Sequence, residues 1–205
     1  MPETYGAFGL VLHFHLPYVL SHDRLEEEWL FEAVAESYLP LLQTFYRLIL
    51  QGMSLKITLG LTPVLLDQLA DPRFSHNFLA YLEEKSRAAQ NDRRDFKESD
   101  DSHLARLAGQ WDEFYRRAGA FFADDLSADL VGALRRLQER GQVELLASAA
   151  THAYLPLLGL DESVRTQIEL GIAYYERCFG TRPQGFWLPE CGYRPASHWT
   201  PPLGG

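Results

Sequence analysis

The 205-residue chain has few cysteines, no dense basic segment and no long apolar run. Its two cysteines, Cys178 and Cys191, are too few for a disulfide framework, and their spacing is not that of a zinc site. Acidic residues outnumber basic ones by 28 to 19, which gives a net charge of −9. Because phosphate binding depends on clustered cations, we expect no nucleic-acid partner. A neutral substrate such as a sugar is compatible with this balance.

The N-terminus, MPETYGAFGL, has neither the basic segment nor the small-residue cleavage pattern of a signal peptide. The apolar run that starts at Ala7 is interrupted by His13 and His15, far short of membrane-spanning length. We therefore expect a cytoplasmic protein that has free thiols and no membrane partner.

Short apolar runs alternate with segments of helical periodicity along the chain. Strands are predicted at 7–13, 55–61, 143–149 and 184–188. Helices are predicted at 26–51 (kinked at Pro40 and ended by Gly52), from Pro63 to about Asp71, at 74–122, at 127–140, and at 161–180 from an acidic cap to a glycine. The run NDRRDFKESDD at 91–101 is interpreted as a solvated face or loop. Strands that alternate with helices indicate an α/β fold with a parallel sheet.

Unusual residues follow three of the four predicted strands. They are His13 and His15 after the first strand, Ser148 and His152 after the third, and Trp187 and Glu190 after the fourth. Ligands of parallel α/β sheets bind at the carboxyl ends of the strands, so these side chains are expected to share one rim. The coincidence of three strands predicts a site there.

Each of these residues also has a purely structural interpretation. Buried histidines often do no more than bond to their neighbours, and Trp187 could belong to the core. A tryptophan beside an acid also suits a sugar ring, whose C–H face stacks on aromatic rings. Glu190 is harder to explain structurally, because an acid in an apolar and aromatic setting costs several kcal/mol unless it is paired. The sequence therefore favours a functional role for Glu190.

Three segments carry a family resemblance: VLHFHLPYV, GQVELLASAATHAYLPLLG and GFWLPECGYRP. In this order they resemble the successive sequence boxes of glycoside hydrolase family 57, from about residue 7 to the chain end. The versions ATHAYLPLL and WLPE are most similar to the 1,4-α-glucan branching enzymes of that family. The resemblance implies an α/β fold of the (β/α)7 type, an incomplete TIM barrel. Residues 1–205 would form its N-terminal portion, with a helical excursion at about 74–125.

The same resemblance implies a retaining mechanism in which Glu190 is the catalytic nucleophile. His13, His15, His152 and Trp187 would bind the substrate, an α-1,4-glucan such as amylose or a glycogen-like polysaccharide. It implies no metal and no cofactor.

The chain departs from the family pattern at its end. The general acid of the family is an aspartate in a later motif, and this sequence stops at HWTPPLGG without reaching it. The later barrel strands and a C-terminal helical domain are missing as well. We therefore expect a fragment or a natural truncation that is inactive alone, since acid assistance is typically worth about 100- to 10,000-fold.

Other classes of function remain open on the sequence. An α-amylase or a 4-α-glucanotransferase of the same family would use the same nucleophile. A metal-dependent polysaccharide deacetylase-like hydrolase could use His13, His15, His152 and Glu190 as ligands. A non-catalytic glucan-binding relic would keep the binding residues without turnover.

Overall fold

A computed structural model describes residues 6–20 and 23–195, in which strands and helices alternate. The strands within these ranges are β1 Val11–Phe14, β2 Ile57–Leu61, β3 Val143–Ser148 and β4 Phe186–Trp187. The α-helices are α1 Arg24–Ala33, α2 Leu39–Leu50, α3 Pro63–Ala70, α4 Pro72–Glu98, α5 Ser102–Ala120, α6 Leu130–Glu139 and α7 Asp161–Phe179. Short helical turns of π type cover Val34–Tyr38 and Phe121–Asp125, and turns of 3-10 type cover Leu155–Leu157 and Pro189–Cys191.

The described strands form one parallel sheet in the order β1-β2-β3-β4, which confirms the predicted fold class. In the register of this sheet, His13 on β1 pairs with Gly60 on β2, and Ser148 on β3 pairs with Trp187 on β4. Leu59, Leu61, Leu145 and Ala147 on the central strands are almost fully buried. Strands covered on both faces read as continuous apolar runs, which is why β2 and β3 were visible in the sequence.

The chain divides into two compact units. The sheet unit contains the described residues of 6–18, 54–67 and 134–195, and the helical unit contains those of 19–53 and 68–133. The core of the helical unit is aromatic: Phe74 and Phe78 stack with ring centroids 5.4 Å apart, and Phe122 meets Phe78 edge-on at 5.0 Å. All three rings are fully buried, and each such side chain stabilises the fold by about 1.5–3 kcal/mol.

Pro40 interrupts the helical segment that follows β1, as predicted. A proline has no N–H to donate to the carbonyl four residues earlier, so the regular ladder fails there. The chain passes through the π-type turn Val34–Tyr38, where the N–H of Leu39 donates to the carbonyl of Val34, before α2 begins.

The single helix predicted at 74–122 is wrong, because the structure has two helices, α4 and α5. The break lies inside the charged run, and Asp101 caps the new helix by accepting a bond of 2.9 Å from the N–H of Leu104. An aspartate at this position replaces a missing intrahelical partner, which lets a second helix begin within a polar stretch.

Three element ends differ from the prediction. The acidic N-cap predicted for α7 is wrong, because the residue before the helix is Leu160. The carboxylates of Asp161 and Glu162 lie in the first turn, where they interact favourably with the positive end of the helix dipole. Gly180 ends α7 at a φ of 71°, as predicted. β1 starts at Val11 instead of residue 7, and β4 is only two residues long.

No helix within the described ranges is long and apolar enough to cross a membrane.

Candidate active site

The five residues predicted for the site come together at the carboxyl ends of the strands. His13 lies on β1, and His15 follows it. His152 comes four residues after the end of β3, Trp187 ends β4, and Glu190 lies in the turn Pro189–Cys191 that follows. The parallel topology produces this convergence, since every strand exits at the same edge.

Three imidazole rings form the centre of the site. Nε2 of His13 lies 2.9 Å from Nε2 of His152, a hydrogen bond between side chains from β1 and from the loop after β3. The ring of His15 stacks on that of His152 with centroids 3.8 Å apart, and its Nδ1 lies 3.2 Å from Oγ1 of Thr62. Thr62 is fully buried directly after β2, so strands β1, β2 and β3 all hold the cluster.

Trp187 closes the cluster from β4. Its ring stacks on His13 with centroids 5.1 Å apart and an interplanar angle of 22°. The hydroxyl of Ser148 donates a 2.9 Å bond to the carbonyl of Trp187, which fixes the end of β4 against β3. Two buried atoms, Nδ1 of His13 and Nε1 of Trp187, have no hydrogen-bond partner among the described residues. Buried polar atoms are usually paired, so both have capacity for a polar ligand.

Glu190 lies in a left-handed backbone conformation, with φ 53° and ψ 29°. His152, which faces Glu190, has a φ of 56°. Both residues are therefore in the left-handed region, which costs an L-residue about 1–2 kcal/mol of conformational energy. Oε1 of Glu190 lies 3.6 Å from Nδ1 of His152. Backbone strain of this kind concentrates at functional sites, where the surrounding fold holds it in place.

The carboxylate of Glu190 is not in the apolar setting that the sequence argument assumed. Its side chain is 70% exposed, whereas that of His152 is only 4% exposed. Pro189 is buried instead, and Glu190 follows it in the turn with an exposed side chain. The cost of burying an acid therefore does not explain Glu190, and its contact with His152 is the informative feature.

The three imidazoles are neutral at pH 7. Burial is the main cause that lowers the pKa of His13, His15 and His152, and for His15 the pKa falls to about 4. Neighbouring imidazoles lower the pKa of His13 and His15 further, while the carboxylate of Glu190 opposes the shift in all three. Neutral rings both donate and accept hydrogen bonds, which suits uncharged hydroxyl groups.

The donor and the acceptor of the hydrogen bond between His13 and His152 depend on the tautomers of the two rings. Their Nε2 atoms lie 2.9 Å apart, so one donates and the other accepts. Nδ1 of His152 lies 3.6 Å from the carboxylate of Glu190, which is an electrostatic contact and not a hydrogen bond.

The metal-site alternative finds no support in this arrangement. The rings of His15 and His152 stack face to face, and a ligating nitrogen presents its lone pair in the plane of its ring. The facing Nε2 atoms of His13 and His152 are already hydrogen-bonded to each other. Within residues 6–20 and 23–195, no group of three His, Cys, Asp or Glu side chains is arranged to hold a metal ion.

Thr62 and Tyr154 are site residues that the sequence reasoning missed. Thr62 lies at the carboxyl end of β2, just before Pro63. This position was the feature of the sequence that could have indicated a place in the site. Tyr154 packs against the turn that carries Glu190: a Cβ on Gly192 would come within 2.6 Å of its ring. Nothing in the local sequence of Tyr154 indicates this contact, because it joins two loops distant in the chain.

Fold and site together define an α/β protein with a polar and aromatic cluster at the carboxyl ends of a parallel sheet. The sequence model of glycosyl hydrolase family 57 matches residues 9–198. The chain therefore belongs to glycosyl hydrolase family 57, as its three sequence boxes predicted.

The relatives that this chain matches are longer than the chain itself. It is 43% identical over 201 residues to a 1,4-alpha-glucan branching enzyme from Thermococcus kodakarensis. The aligned segment covers 97% of this chain and 29% of that protein. A probable 1,4-alpha-glucan branching enzyme from Mycobacterium tuberculosis is 34% identical, over 93% of this chain and 38% of that one. The chain thus spans about a third of the length of these relatives.

Crystal structures of related proteins share this fold. A branching enzyme of this family from Pyrococcus horikoshii superposes with a TM-score of 0.89 at 41% identity, over 95% of this chain and 36% of that chain. An alpha-amylase from Thermotoga maritima gives 0.81 at 31% identity, over 90% of this chain and 35% of that chain. These matches confirm that the chain folds as part of the catalytic barrel of the family.

Proposed function

We propose that this chain forms the nucleophile-bearing part of a retaining 1,4-α-glucan branching enzyme. The contact between Glu190 and His152 carries the proposal, because it sets an exposed carboxylate beside neutral imidazoles at the rim where ligands of parallel sheets bind. The identity to the branching enzymes is 34–43%, against 31% for the alpha-amylase, and this supports branching over hydrolysis.

In this proposal Glu190 attacks the anomeric carbon of an α-1,4-glucan. The C1–O4 bond breaks, the leaving oxygen takes a proton from the general acid, and a glycosyl ester forms on Glu190. The 6-hydroxyl of a second glucan then attacks the same carbon, gives its proton to the conjugate base, and releases Glu190. We assign the acid to the aspartate of the later family motif, which a retaining enzyme holds about 5 Å from the nucleophile.

The neighbouring side chains bind the reacting sugar in this proposal. His13, His15 and His152 lie beside this sugar, although Nε2 of His13 and both nitrogens of His152 already face protein groups, and Trp187 contributes a buried indole N–H beside them. Neutral imidazoles serve an uncharged substrate well, because no charge has to lose its water when the sugar enters. His152 also contacts the Glu190 carboxylate and limits the orientations that this nucleophile adopts.

We further propose that the enzyme acts in the cytoplasm, in the synthesis of a glycogen-like polysaccharide. Its two cysteines are free, with Cys178 buried and Cys191 exposed beside Glu190. An exposed free thiol persists in a reducing compartment, which supports this location.

Azide rescue tests the nucleophile assignment in the intact protein that the gene encodes. Glu190→Gly is given an α-glucosyl fluoride donor, whose fluoride leaves without acid assistance, and sodium azide. Azide can enter from the face that the carboxylate leaves, so the expected product is a β-glycosyl azide. An α-glycosyl azide would make Glu190 the acid/base, and no rescue together with full residual transfer would remove it from the chemistry.

Hydrolysis of α-1,4 bonds is the second candidate, because the structure of an alpha-amylase also superposes on this chain. The two activities differ in the acceptor of the glycosyl group. Amylose treated with the intact protein should gain α-1,6 linkages in its proton NMR spectrum without new reducing ends. A rise in reducing ends with no α-1,6 signal would favour the amylase.

A further inference from the structure

We propose that Gly60 is a positioning residue of the candidate site, because its missing side chain lets His13 and Trp187 stack above β2. The inference rests on the proposed function for its kinetic consequences, but its structural part is independent of any activity. Gly60 is the register partner of His13, so it lies beside that histidine in the sheet.

The stack joins the two outer strands of the described sheet. β1 carries His13, β4 carries Trp187, and β2 and β3 lie between them. In a flat sheet, three strand spacings would separate the two backbones by roughly 14 Å. The ring centroids are nevertheless 5.1 Å apart. The sheet therefore curls until side chains from its two edges meet over an inner strand.

They meet at the position of Gly60. A Cβ built on Gly60 would lie 2.9 Å from Nδ1 of His13, 3.6 Å from Cβ of Trp187 and 3.7 Å from its Cγ. The last two distances are ordinary van der Waals contacts, but the first is closer than packed atoms allow. A methyl group there would remove the space that the imidazole now occupies.

His13 cannot yield without disturbing its neighbours. Its Nε2 is bonded to His152 at 2.9 Å, and one face of its ring lies on Trp187. A tilt away from Gly60 lengthens the bond to His152, the residue that contacts Glu190. The glycine on β2 thus acts on the carboxylate through two imidazoles, without touching it.

The sequence offers a matched control for this position. Gly9 lies two residues before β1, and a Cβ built on it meets nothing within 4 Å. Its φ is not in the left-handed region, so alanine is compatible with its backbone. Gly9→Ala therefore makes the same substitution next to β1, the strand that carries His13, without filling any contact.

Fluorine NMR of protein labelled with 5-fluorotryptophan reports the stack directly. Trp187→Phe identifies the Trp187 resonance, and Gly60→Ala should shift that resonance while Gly9→Ala leaves it in place. Proton NMR of the imidazoles should also show the pKa of His13 rising toward 6.5 in Gly60→Ala, since the displaced ring gains access to water. An unchanged Trp187 resonance in folded Gly60→Ala would overturn the proposal.

A measurement on the unchanged protein keeps the proposal testable if Gly60→Ala fails to fold. The Hα protons of Gly60 and the Hβ protons of Trp187 should give a nuclear Overhauser effect, because the Cβ position of Gly60 lies 3.6 Å from Cβ of Trp187. Absence of this signal in a spectrum that shows neighbouring strand contacts would overturn the proposal without any variant.

Kinetics of the intact protein separate positioning from general destabilisation. Gly60→Ala should lower kcat by about 10- to 100-fold with KM changed by less than about threefold, since misplacement of a reacting group costs this much while remote glucan contacts persist. Gly9→Ala should match the parent in both. Kinetic constants equal to those of the parent in Gly60→Ala would refute the positioning role. Failure of azide rescue at Glu190 would instead refute the proposed function, and the NMR evidence for the contact at Gly60 would remain valid.

Discussion

Nδ1 of the buried His152 lies 3.6 Å from Oε1 of the exposed Glu190, and both residues are in the left-handed backbone region. The loop after β3 and the turn after β4 thus present one carboxylate with one neutral imidazole behind it. His152 in turn shares a hydrogen bond with His13 and stacks on His15. The carboxylate therefore faces solvent and contacts a histidine that the neighbouring side chains hold in place.

Replacement of His152 by asparagine should lower glucan transfer by about 10- to 100-fold, because Glu190 loses the group that limits its movement. Asparagine tolerates the left-handed backbone at this position, so the fold is kept. Initial rates with amylose measure the effect. His76→Asn on the exposed face of α4 is the control and should retain parent activity. Equal rates in the two variants would show that the imidazole does not act on Glu190.

Stability should fall as the pH drops from about 6.5 to about 4, in part because of His15. Its pKa is about 4 in the folded protein and near 6.5 when unfolded, so in this window only the unfolded state takes up the proton. The contribution is fully present above pH 6.5 and is lost progressively toward pH 4. Urea unfolding of the parent and of His15→Asn should show a smaller loss for the variant. Parallel curves would mean that the pKa of His15 is not lowered.

Chelators should leave the activity of the intact protein unchanged. The stacked rings of His15 and His152 do not converge on a common point, and the nitrogens of His13 and His152 bond to each other. Glucan transfer is measured after dialysis against EDTA and again after zinc is added. Activity that is lost with EDTA and restored by zinc would move the assignment to the deacetylase-like hydrolase.

Asp112→Ala should destabilise the helical unit by about 1–3 kcal/mol. The buried carboxylate accepts a 2.7 Å bond from the buried Ser86 and a 3.0 Å bond from Gln90, and alanine would leave the hydroxyl of Ser86 without this acceptor. The adjacent Glu113 forms exposed ion pairs with Arg116 and Arg117, so Glu113→Ala should cost only about 0–1 kcal/mol. Urea unfolding compares the two variants. Equal losses would contradict a structural role for the buried network.

Much of this fold could be predicted, because strands that are buried on both faces consist mainly of consecutive apolar residues. The central strands β2 and β3 were found nearly at their observed limits, and Gly52, Pro63 and Gly180 marked helix boundaries by their backbone chemistry. β4 was predicted at 184–188 but spans only Phe186–Trp187, and the break between α4 and α5 depends on one capping aspartate inside a polar run. Local periodicity carries no signal for the ends of so short a strand or for this break.

The clustering of the five candidate residues was predictable, but its geometry and its contacts with Thr62 and Tyr154 were not. Parallel strands bring their exits to one edge, so His13, His152 and Glu190 could be grouped from strand order alone. The exposure of Glu190 could not, since it follows from a left-handed turn after a buried proline. The role of Gly60 was hidden for a related reason: the curl of the sheet, and not the sequence near β2, brings Trp187 above it.

Trapping of the glycosyl-enzyme tests the central claim most directly. The intact protein is incubated with a 5-fluoro-α-glucosyl fluoride, whose slow turnover accumulates the covalent intermediate, and its peptic peptides are sequenced by mass spectrometry. The account predicts one fluoroglucosyl group on Glu190, and no label in Glu190→Gln, which should still bind glucan because its shape is kept. A label on another carboxylate, or an unlabelled protein that branches amylose at the parent rate after the Glu190→Gln change, would contradict it.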